Sequence, residues 1–80
     1  MGKAGKALRQ VLETYGISQY QLAAAMGIGR SNVSRWASEV RDPGGETILQ
    51  IRRALHKIEP AAGEEFIRLY LDESMEDEEL

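Results

Sequence analysis

Five residues in the stretch GIGRSNVSRWASE, namely Arg30, Ser31, Asn32, Ser34 and Arg35, carry groups that can grip another molecule. At about 100° per residue, Ser31, Ser34, Arg35 and Ser38 centre on one side of a helix. Arg30 and Asn32 flank that side, and Val33, Trp36 and Ala37 fall opposite it. A guanidinium is a planar fork that can hold two acceptors at once, such as O6 and N7 of guanine. Short Ser and Asn side chains let the helix backbone come close. The chemistry is recognition rather than bond making. His56 is the only histidine, no Ser, Cys or carboxylate stands beside it in a catalytic pattern, and it reads as a partner for the negative end of a helix. With no Cys there is neither a disulfide nor a thiolate metal site, and the acidic C-terminal run lacks the spacing of a calcium loop. No enzyme, metal or cofactor is expected.

The elements that must position these groups are helices. Ala4, Ala7, Leu8, Val11, Leu12 and Tyr15 recur at three- and four-residue steps and predict a first helix over about Lys3–Tyr15, with Gly16 as its stop. Ser18 can cap a second helix while Gln21 reaches back in a capping box, and Ile17 and Leu22 stand at the positions of a hydrophobic staple. Gly27 ends that helix. The third follows after Ile28 and Gly29, with Gly29 as its cap and Ile28 and Val33 repeating the staple spacing. EVRDPGGE reads as loop. A fourth helix is expected over about Glu46 to His56 or Ile58, then Pro60, then a fifth over about Ala62–Asp72 with Phe66, Ile67, Tyr70 and Leu71 as its apolar stripe. No strand-like alternation appears, so the fold class is all-α, a bundle of about five short helices.

Eighty residues with 42% hydrophobic content support one domain and one modest core. Residues 1–58 read as a four-helix core, 59–72 as an additional C-terminal helix of the same domain, and 73–80 as a disordered acidic tail. No apolar run is long enough to span a bilayer, so a cytoplasmic chain without a membrane partner is expected. The net charge of −3 is unlike that of a generic polyanion binder, but the charge is segregated. Through Ile58 nine basic residues face four acids, a balance of +5, and beyond it stand nine acids and one base, Arg68.

Two short helices joined by a glycine-containing turn, ISQYQLAAAMGIGRSNVSRW, make a helix-turn-helix unit whose second helix can enter a major groove. Together with RDPGGETILQIRRAL, this run resembles the DNA-binding domain of Cro and phage-repressor type transcriptional regulators over roughly Lys3–Ile58. The resemblance implies that Ser18 and Gln19 meet phosphates at the groove edge. It further implies that Arg30, Ser31, Ser34 and Arg35 face base edges or nearby phosphates and that Asn32 contacts a phosphate. Arg41, in the loop, completes the set; its competing reading is a solvated pair with Asp42. Gly29 departs from the family, which usually caps this helix with Ser or Thr, and Trp36 replaces a commoner aliphatic residue as a core filler. The implied partner is double-stranded DNA, bound by a homodimer formed through the C-terminal helices. The rival is a protein-interaction module of the same fold with a partner protein, such as an antitoxin or a transcription accessory factor.

Overall fold

The structure is a computed structural model and describes residues 3–79, with side chains for residues 3–72. The apolar positions of the first segment form α1 (Lys3–Tyr15), which buries Ala4, Ala7, Leu8, Val11 and Leu12. Gly16, at φ 64°, ends it in the left-handed conformation that only glycine takes without strain.

The capping box is formed at α2 (Gln19–Met26). Ser18 Oγ accepts from the Gln21 backbone N–H at 3.0 Å, and Gln21 Oε1 accepts from the Ser18 N–H at 2.9 Å. Ile17 and Leu22 are both buried beneath it, as a staple requires. At the other end Gly27, at φ 73°, donates to Ala24 O and the next N–H, of Ile28, to Ala23 O. Those two bonds satisfy carbonyls that the helix end leaves open and turn the chain sharply toward α3 (Arg30–Ala37).

The remaining helices are α4 (Gly45–Ile58) and α5 (Pro60–Glu79). Here α5 departs from expectation at both ends. It starts at Pro60 rather than Ala62, because the first helical position needs no N–H and proline's φ is already helical. Glu59 stands extended at φ −154° and ψ 109°, as a residue before proline should. At the far end, the helical backbone continues to Glu79, through the stretch from Glu73 that its acids set apart as a tail. Glutamate and methionine are good helix formers, so charge density alone does not break a helix. The side chains from Glu73 on, and Leu80 entirely, lie outside the described residues. Within the described part Arg68 binds Glu65 one turn back and Asp72 one turn ahead, at 3.1 and 3.0 Å. The Arg68 hydrogen bond holds the Glu65 carboxyl below its ordinary range, but the pair is exposed and adds little stability.

The principal packing forms a closed ring in the order α1, α3, α2, α4, α5 and back to α1. The ring encloses Leu8, Val11, Leu22, Val33, Ile51, Leu55 and Phe66, all essentially inaccessible. Thus α5 closes the ring between α4 and α1, through Ala62 and Phe66.

Its approach to α4 depends on Gly63. A Cβ there would stand 2.9 Å from Arg52 O and 3.3 Å from His56 Cβ. Elsewhere in a helix Gly→Ala gains about 1 kcal/mol. Gly63→Ala is instead expected to cost about 1–3 kcal/mol by overpacking, read from the denaturant midpoint. An unchanged or raised midpoint would mean that α5 can move away freely.

Candidate nucleic-acid interface

The helix α3 buries the face its periodicity predicts, but Ser34, expected at the centre of the outward side, is half-buried at its edge. Val33, Trp36 and Ala37 are buried, Trp36 as a core filler. Arg30, Ser31, Arg35 and Ser38 are exposed, and Asn32 and Ser34 are half-buried at the flanks. Asn32 Nδ2 reaches back to Gly29 O at 3.5 Å, and Ser38 Oγ donates to Ser34 O at 2.8 Å. The Ser18 hydroxyl is engaged by its cap, Gln19 is half-buried beside it, and Tyr20 projects with 70% of its surface exposed. Arg41 is exposed in the loop that follows α3. Among the described residues no recorded ion pair holds Arg30, Arg35 or Arg41.

Both ends of α3 are shaped for this exposure. Gly29 makes no side-chain cap, so the first N–H groups of α3 keep their positive field, to which Arg30 adds its charge at the first helical position. Two like contributions side by side weaken an isolated helix and favour an anion placed there. Gly29 has extended backbone at φ −75° and ψ 148°, and a Cβ would meet nothing nearer than Ser31 Oγ at 3.9 Å. Gly29→Ser is therefore expected to raise stability by a few tenths of a kcal/mol, about what a Ser cap gains over Gly. Thermal melts against wild type test this, and a lowered melting point would refute it.

The C-terminal end of α3 is gripped by α1, a feature that sequence reasoning missed. Glu39 is the residue just past the helix cap, at φ 65°. Its N–H bonds to Trp36 O at 3.1 Å and that of Val40 to Arg35 O at 3.0 Å. This is a Schellman turn with glutamate where glycine is usual. The guanidinium of Arg9 donates to Ala37 O and pairs with Glu39 at 2.7 Å. One turn earlier, Gly5 lets the Trp36 carbonyl approach so closely that a Cβ would collide with it. Arg9, although exposed, thus ties α1 to the C-terminal end of α3. A glycine inside an amphipathic helix is the only sequence signal that could have found this contact.

Among the described residues no helix is long and apolar enough to cross a membrane, and no group of three or more His, Cys, Asp or Glu could hold a metal. A short helix crossing its predecessor through a Gly-Ile-Gly turn, one face buried and the other lined with arginine and serine, defines a helix-turn-helix domain. A family model described as helix-turn-helix matches residues 8–61, well over half of the chain. The chain belongs to this family, the helix-turn-helix domains of Cro and phage-repressor type. No curated protein and no solved structure matches it. The match ends at residue 61, just before Ala62 and Phe66, so the part of α5 that closes the core lies beyond it.

Proposed function

We propose that this protein is a sequence-specific double-stranded DNA-binding regulator of transcription that reads the major groove with α3. The observation that carries the reading is the arginine and serine face of α3, exposed and without ion pairs among the described residues while the opposite face is locked in the core. A helix is about 10–12 Å across with its side chains, which the roughly 12 Å width of the major groove admits. Arg35 and Arg30 are assigned to base edges, Ser31 and Ser34 to base edges or nearby phosphates. Ser18, Gln19, Asn32 and Arg41 are assigned to phosphates that fix the register. A domain this small makes few phosphate contacts. The reading therefore includes a homodimer, formed through the C-terminal helices, on a two-fold site whose halves lie about one helical turn apart.

Selection of bound fragments from random duplex DNA at low salt tests the proposal. The expected result is one enriched sequence with two-fold symmetry. A wild-type protein that enriches no sequence would overturn it.

A further inference from the structure

The described basic residues fall into groups that the DNA-binding face does not exhaust. Arg9 and Arg68 are held in ion pairs, and Arg30, Arg35 and Arg41 belong to the interface above. Apart from Lys3 and Lys6 on α1, a third group stands on the outer side of α4. Arg52, Arg53, His56 and Lys57 are all exposed and line one surface cavity, and among the described residues none of them forms an ion pair. Leu49, 52% exposed, lies one turn before them on the same helix face. Like charges this close on one helix repel, so they lower stability unless something anionic covers them.

The chain carries a matching segment. From Asp72 to Leu80 it has six acids, no base, and two apolar residues, Met75 and Leu80. It cannot reach the basic face of its own α4. Along α5, Gly63 lies against Arg52 and His56, whereas Tyr70 shares a cavity with Ile48, in the first turn of α4, and with Lys3 and Pro43. The two helices therefore run in opposite senses. Continuing as helix to Glu79, α5 carries the acids about 13 Å further from residues 52–57.

We infer that the outer face of α4 in one copy binds the acidic end of α5 in a second copy. Leu49 meets the apolar residues of that segment and Arg52, Arg53 and Lys57 meet its carboxylates. Exchange of both ends gives an isologous two-fold pair. The inference rests on the homodimer part of the reading above and not on its DNA part.

The test uses the full chain without DNA, with self-association followed by analytical ultracentrifugation. Wild type is expected to form dimers whose dissociation constant rises at least about tenfold as salt is raised from low to high, as attraction between exposed charges is screened. Arg52→Glu with Arg53→Glu should abolish dimers, and so should Glu76→Lys with Asp77→Lys. Arg52 and Arg53 are exposed, and helix content by circular dichroism checks that the fold persists in both variants. Mixing the two variants should restore dimers, because both contacts are then complementary again. A wild type that stays monomeric overturns this inference together with the homodimer. Dimers unchanged by either variant, or no restoration on mixing, overturn the α4 surface alone. If truncation after Asp72 raises DNA affinity without changing association, the acids act on the DNA face of their own copy and the inference fails.

Discussion

Arg35→Ala is expected to abolish selection at one base position of each half-site while leaving the fold intact. Arg35 stands in the last turn of α3, on the side opposite Val33, Trp36 and Ala37. Its side chain is exposed and makes no ion pair among the described residues, so its removal orphans no buried group and should not move the thermal midpoint measurably. If it grips a guanine edge through two hydrogen bonds, its loss costs about 1–3 kcal/mol per half-site, about 5- to 150-fold in affinity for each half of the selected sequence. Random-sequence DNA should lose far less. Arg41→Ala supplies the contrast, because losing a phosphate contact weakens binding nearly uniformly across sequences and lowers the salt slope by about one per copy bound. Titrations of selected and scrambled duplexes at several salt concentrations separate the two. An Arg35→Ala protein that enriches the wild-type sequence with wild-type affinity would remove Arg35 from the reading set.

The largest effect on stability is expected at Phe66, which no solvent reaches although it lies on the last helix. Phe66→Ala should cost about 3–5 kcal/mol, the transfer of an aromatic side chain plus the cavity left behind. A domain of this size has about 5–10 kcal/mol in total, so the variant should keep at most about half to two thirds of its stability and melt at a markedly lower temperature. Leu71→Ala, at a position 52% exposed on the same helix, should cost well under half as much. Chemical denaturation of the three proteins decides the matter. A loss below about 1 kcal/mol for Phe66→Ala would mean that α5 is an appendage rather than the element that closes the ring.

Sequence by itself determined the class of fold, the bounds of α1, the caps of α2 and the two faces of α3. Ser18 with Gln21, the left-handed Gly27, and the staples Ile17–Leu22 and Ile28–Val33 act between residues a few positions apart, so their spacing along the chain is their geometry. Exposure of the α3 face was legible for the same reason, since burying Val33, Trp36 and Ala37 on one side forces Arg35 and Ser31 out on the other. The backbone of α5 runs to Glu79, past Asp72, where the apolar periodicity ends, because glutamate favours helix without any apolar stripe. Only the tertiary structure decided which helices touch and how the recognition helix is held. The contact of Arg9 with the end of α3 spans 28 residues, and the close approaches at Gly5 and Gly63 join elements whose order in the ring is not their order in the chain. No local pattern encodes such contacts, because they exist only after the core has chosen its packing partners.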